Sequence, residues 1–135
     1  MFYPITDIEG VDSDVATILK SAGIRSTGSL LEVARTCRGR KALAQKTGID
    51  EKRLLAFANM ADCMRVRGIS KEYAELLRAA GVGTVGELKY RNPAKLAQAM
   101  ADANKTRKRV RLLPSEKRVV RWIDHARKLP LKITY

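Results

Sequence analysis

Ile8-Glu-Gly-Val-Asp-Ser-Asp-Val-Ala-Thr-Ile-Leu-Lys-Ser-Ala-Gly-Ile24 returns further along the chain as Val66-Arg-Gly-Ile-Ser-Lys-Glu-Tyr-Ala-Glu-Leu-Leu-Arg-Ala-Ala-Gly-Val82. Gly10 falls on Gly68, Ala16 on Ala74, Leu19 on Leu77, Gly23 on Gly81 and Leu30 on Leu88. Beyond it, Leu43-Ala-Gln45 matches Leu96-Ala-Gln98, and Glu51-Lys-Arg-Leu-Leu-Ala-Phe57 matches Glu116-Lys-Arg-Val-Val-Arg-Trp122. The spacing drifts because turns differ in length, but the order of matched segments is kept. Such self-similarity is the mark of a duplicated unit. It divides the chain into residues 1–62 and 63–135.

The apolar spacing inside each unit is helical. Val15, Ile18, Leu19 and Ala22 fall at i, i+3, i+4 and i+7, as do Tyr73, Leu76, Leu77 and Ala80. Asp12 or Ser13, and Ser70, are expected to cap these helices by accepting from free first-turn amides. Gly23 and Gly81 stand where a helix ends in a left-handed residue, each followed by an apolar one. Further helices are predicted near 27–35, 41–46 and 51–62 in the first unit, and near 84–89, 93–103 and 115–129 in the second. The last has Val119, Val120, Trp122, Ile123 and Ala126 as its apolar face. No segment alternates as a strand does, and the tail at Leu131–Tyr135 is too short to decide. The expected fold is all-α.

Three hairpins, Gly10-Val-Asp12, Gly48-Ile-Asp50 and Gly68-Ile-Ser70, sit between predicted helices, and Leu113-Pro-Ser115 holds the fourth place without a glycine. The signature apolar–x–Gly–apolar, with Ala-x-x-Leu-x-x-Ala-Gly-apolar after it, resembles the helix-hairpin-helix motif of DNA repair proteins, ligases and recombinases. A pair of such motifs is similar to the C-terminal domain of the bacterial RNA polymerase alpha subunit. The whole chain, including Leu113-Pro-Ser-Glu-Lys-Arg-Val-Val-Arg-Trp-Ile-Asp-His-Ala-Arg-Lys-Leu-Pro130, resembles a bacterial family described as a domain of unknown function with a duplicated helix-hairpin-helix. The resemblance implies tandem, SAM-domain-like modules packed as one helical body. It also implies hairpins whose backbone approaches a phosphate. Physics allows this independently, since glycine lacks the Cβ that blocks close approach and a helix N-terminus offers free N–H groups.

Charge then selects between the hairpins. The net charge is +13, which favours polyanionic partners. Residues 1–62 hold nine Lys/Arg against eight Asp/Glu, whereas 63–135 hold eighteen against six. At Gly10 and Gly48 an aspartate follows two residues on, putting negative charge where a phosphate would sit, so these two are weaker candidates. Gly68, Ile69 and Ser70 are surrounded by Arg65, Arg67 and Lys71. Between Lys105 and Arg121 lie Lys105, Arg107, Lys108, Arg109, Arg111, Lys117, Arg118 and Arg121 against the single acid Glu116. These residues are the predicted nucleic-acid interface. The favoured partner is double-stranded DNA bound without sequence preference, with RNA the alternative that basic composition equally allows. A protein-interaction adaptor working through the near-neutral first unit is the rival reading.

Catalysis has no sequence support. There is no Gly-rich phosphate loop, nucleophile–base pair or carboxylate cluster, and no cofactor or metal is expected. Cys37 and Cys63 form no C-x-x-C pair and are expected to be reduced, partly buried thiols. Trp122 is expected in the core, and His125 on a helix surface. No apolar run approaches the roughly 20 residues of a membrane span. The expected location is the cytoplasm, at the nucleoid if DNA is bound.

Overall fold

A computed structural model describes residues 2–135. Among these residues the secondary structure is helical: a 3-10 turn at Ile5–Asp7 precedes α1 (Ser13–Ser21), α2 (Thr27–Ala34), α3 (Cys37–Thr47), α4 (Glu51–Cys63), α5 (Lys71–Ala79), α6 (Val85–Lys89), α7 (Pro93–Thr106) and α8 (Glu116–Lys128). An isolated β-bridge, Pro4 to Ser26, fastens the N-terminal segment to the entry of α2.

Short polar side chains set most of the starts. Asp12, Ser26, Thr36, Asp50, Thr84, Asn92 and Ser115 each accept a hydrogen bond from a first-turn amide of the helix that follows. Thr36 explains why α3 begins at Cys37 rather than near residue 41. Its hydroxyl accepts from the Gly39 amide at 3.0 Å, which fixes the first turn despite the low helix propensity of glycine. Alone among the described α-helices, α5 is entered without a side-chain cap; Ser70 occupies the cap position but makes no such bond.

The two halves run through the same sequence of four helices, and matched residues take matched geometry. Val11 donates to the Ile8 carbonyl and Ile69 to the Val66 carbonyl, each at 3.1 Å. Ile24 donates to Leu19, and Val82 to Leu77, each at 2.9 Å. Gly10 has φ +92° and Gly68 φ +91°, a region costly for residues with a Cβ. A Cβ at Gly10 would lie 3.2 Å from the Phe57 ring, and one at Gly68 would lie 3.0 Å from Nε1 of Trp122. The guanidinium of Arg53 lies 5.7 Å from the Phe57 ring centroid, and that of Arg118 lies 5.9 Å from Trp122. Each half thus seats an aromatic from its fourth helix under its first glycine turn, with an arginine over the ring.

In the first half α4 packs on α2 and α3, in the second α8 packs on α6 and α7, and α4 also meets α6. One continuous cluster of buried side chains runs through both halves, from Ile5 to Ala126. The C-terminal tail is neither strand nor helix but a strap. Thr134 donates its amide to the Arg35 carbonyl at 2.8 Å, and the Tyr135 hydroxyl bonds Oδ1 of Asn59. Buried Arg40 donates to the carbonyls of Ala34 (2.9 Å) and Thr134 (2.7 Å), so a first-half cation holds the tail. The thiols differ from the expectation of two partly buried groups. Cys37, on the first turn of α3, is exposed, and Cys63, facing the core from α4, is buried.

Candidate nucleic-acid interface

The turn between α4 and α5 lies against the middle of α8, where Gly68 meets Trp122 and the Arg67 amide meets His125. There Arg67, Gly68, Arg118, Arg121, Trp122, Asp124, His125 and Lys128 line an open cleft of about 520 Å³. Helical spacing explains the α8 set: positions 118, 121, 125 and 128 are three or four residues apart and share one side of the helix. Trp122, only 2% exposed, lies against the glycine and forms the floor. Its indole meets the Tyr73 ring at a centroid distance of 5.3 Å and an angle of 57°.

Arg118 is the best-positioned cation. Its guanidinium lies 4.9 Å from the Tyr73 ring centroid, and one amino group donates to the Tyr73 hydroxyl at 3.2 Å. Stacking and a hydrogen bond hold the planar fork with donors to spare. His125, expected on the helix surface, is half-buried and functions in the turn. Its Nδ1 accepts from the Arg67 amide at 2.9 Å, fixing the backbone next to Gly68. With Nδ1 accepting, the ring's other nitrogen bears the proton in the neutral form.

The three ion pairs among the described residues are Arg65–Asp62, Arg127–Asp124 and Lys132–Glu32. None of them occupies Arg67, Arg118, Arg121 or Lys128. Asp124 is the single acid on the cleft wall, and its carboxylate lies 3.9 Å from Arg127. Beside the cleft, the α5 N-terminus opens with its cap serine unbonded. The amides of Lys71, Glu72 and Tyr73 precede the first position that can bond within the helix.

The other sequence-selected residues divide into groups. Arg65 serves the core: its Nε donates to Oδ1 of buried Asp62 at 2.7 Å and its fork reaches the Pro130 carbonyl at 3.1 Å. Burial holds the Asp62 carboxyl above its usual range, although Arg65 pulls the other way. Ile69 is fully buried and its amide is already bonded to Val66, so it supplies packing and no anion contact. Lys71 is exposed on the first turn of α5. Arg109 and Arg111 line a shallow depression with Glu72, Tyr73, Val110 and Leu112, on the loop before α8. Lys117 and Arg121 flank another with Glu116 and Val120. Lys105, Arg107 and Lys108 are exposed around the end of α7.

The first-half hairpins have their donors engaged. Asp12 accepts from the Val15 amide at 2.9 Å, and Asp50 from the Lys52 amide at 3.3 Å. The Gly48 amide bonds Ala44 as the end of α3. Sequence reasoning missed Lys128 and the support given by His125. Lys128 lies on the face of α8 defined by Arg118 and Arg121, so extending that helical spacing would have found it.

The model of the family described as Domain of unknown function (DUF4332) matches residues 9–129. The chain belongs to that family. The matched span contains the whole cleft of this DUF4332 domain and stops short of the tail strap. No curated protein and no solved structure matches the chain.

Proposed function

We propose that the protein is a non-catalytic binder of double-stranded DNA that grips the phosphate backbone without reading sequence. The observation that supports it is the convergence of Arg67, Arg118, Arg121 and Lys128 on the Gly68 turn, unengaged by ion pairs. Cations and open amides at one helix entry are the physical requirements of an anion site. Each half is read as a helix-hairpin-helix unit of a tandem duplication, the second being the binding unit. The exposed cations Lys71, Lys105, Arg107, Lys108, Arg111 and Lys117, with half-buried Arg109, extend the contact along the duplex, and the protein works in the cytoplasm at the nucleoid.

The test is fluorescence anisotropy with a labelled duplex across a salt series. If about six phosphates are neutralised, the log–log slope is near −5. Arg67→Ala, Arg121→Ala and Lys128→Ala each reduce the slope by about one, while Lys20→Ala in the first half leaves it unchanged. A flat salt dependence refutes the reading. Competition with duplex RNA and single strands distinguishes DNA from RNA as the preferred polyanion.

A further inference from the structure

The loop Arg107–Ser115 holds a feature that phosphate binding leaves unused. Its backbone is fastened at several points. Asn104 accepts from the amides of Arg109 (2.8 Å) and Val110 (3.2 Å) and donates to the Val110 carbonyl at 3.2 Å. Val110 and Pro114 are buried, and the Tyr73 hydroxyl donates to the Leu112 carbonyl at 3.0 Å. Through Tyr73 the loop connects to Arg118 and so to the cleft. Yet the Leu112 side chain on this pinned backbone is 73% exposed, with Leu113 beside it 40% exposed. Arg109 and Arg111 border the same depression.

An apolar side chain held rigidly outward among cations has the form of a wedge. Proteins that kink duplex DNA insert such residues between base steps while flanking cations hold the phosphates. We propose that Leu112 enters the base stack, so that the protein prefers kinked or locally unstacked duplex over straight duplex. This rests on the DNA reading above. The charge around the loop complements a phosphate backbone, whereas a membrane surface would favour a broader apolar face with exposed aromatics. Here Trp122 is buried and the Tyr73 hydroxyl is engaged.

The test compares the full chain with Leu112→Ala on end-labelled duplexes, intact or with a central bulge, by fluorescence energy transfer. The wild type is expected to bend the intact duplex by about 20° or more. It should bind the bulged duplex about tenfold more tightly, since the unstacking is already done. Leu112→Ala should lose both effects and keep a salt slope near −5. Its fold is checked by circular dichroism; the bonds that hold the loop there are to backbone, so the substitution spares them. Wild-type binding that leaves the intact duplex straight, or equal bending by the variant, overturns the wedge and leaves phosphate binding standing. No binding to either duplex overturns both readings. Leu112-dependent binding to phosphatidylserine vesicles without DNA bending overturns the proposal in favour of a membrane.

Discussion

The two halves contain a ready-made experiment at the entry of their first helices. Asp12 and Ser70 hold equivalent places before α1 and α5 with nearly the same backbone, φ −80° and ψ −176° against φ −98° and ψ −171°. Asp12 bonds the Val15 amide and places a carboxylate at the helix's positive end, while Ser70 leaves the equivalent place open. Ser70→Asp therefore imports the first half's internal anion into the second. An Asp cap bonded to the Tyr73 amide is worth about 1 kcal/mol, with the helix dipole adding a few tenths. For a chain of 135 residues that raises Tm by about 3–5 °C. On the proposed reading, the same carboxylate occupies an amide donor that would face a phosphate, and repels its charge. Losing one phosphate contact reduces the salt slope by about one, and affinity should fall about tenfold or more. Differential scanning calorimetry reads the first effect and anisotropy the second. Stability and affinity must move in opposite directions. A variant that is stabilised but binds DNA as well as wild type would refute the assignment of the α5 entry to phosphate.

Arg65→Ala should lower stability alone, because it leaves buried Asp62 without its partner. It is expected to cost about 3–5 kcal/mol at neutral pH, while DNA affinity of the folded variant stays unchanged. Burial holds the Asp62 carboxyl up in the folded state, and losing Arg65 raises it further. A raised folded value means the penalty is present when pH is above that value and relaxes as pH falls through it. Urea titrations at neutral and acid pH check this sign. Gly68→Ala meets both a positive φ and the Trp122 indole 3.0 Å from the new Cβ. It should lose about 2 kcal/mol or more, with a shift in tryptophan emission. For the thiols, burial pushes Cys63 up to about 12, with Asp62 adding to the effect. One equivalent of thiol reagent, at Cys37, should react with the native protein and two with the denatured chain. Two fast equivalents in the native state would contradict the packing of α4.

Helix order was legible because the repeat and the apolar period both survive in the sequence. Phe57 and Trp122 align by register alone, and the structure sets each under its glycine turn. What sequence could not disclose is how Gly68 is used. The glycine was selected for its openness to phosphate, but its missing Cβ makes room for the Trp122 ring of the core. The start of α3 was read too late because Gly39 lowers local propensity, which the Thr36 cap overrides. His125 was read as surface because nothing in its neighbourhood predicts a backbone donor from Arg67, which is distant in sequence.

Charge density is the least dependable guide of all, because a cation's partners are tertiary. Arg40, Arg65, Lys89, Arg127 and Lys132 are as basic as any residue in the chain, yet each donates within the fold. Arg40 and Lys132 fasten the tail, Arg65 neutralises a buried acid, and Lys89 and Arg127 tie α6 to the end of α8. The fold uses these five to close itself. Arg67, Arg118, Arg121 and Lys128 come from two segments that the sequence separates by about fifty residues, and meet over one tryptophan. Tight grouping along the chain therefore did not locate the cleft. Lys105, Arg107 and Lys108 form the densest run but lie outside the cleft, whereas Lys128, isolated from the tract, stands in its wall. On the proposed reading, the cations that meet a polyanion are those outside the ion pairs and beside a helix entry that lacks its side-chain cap.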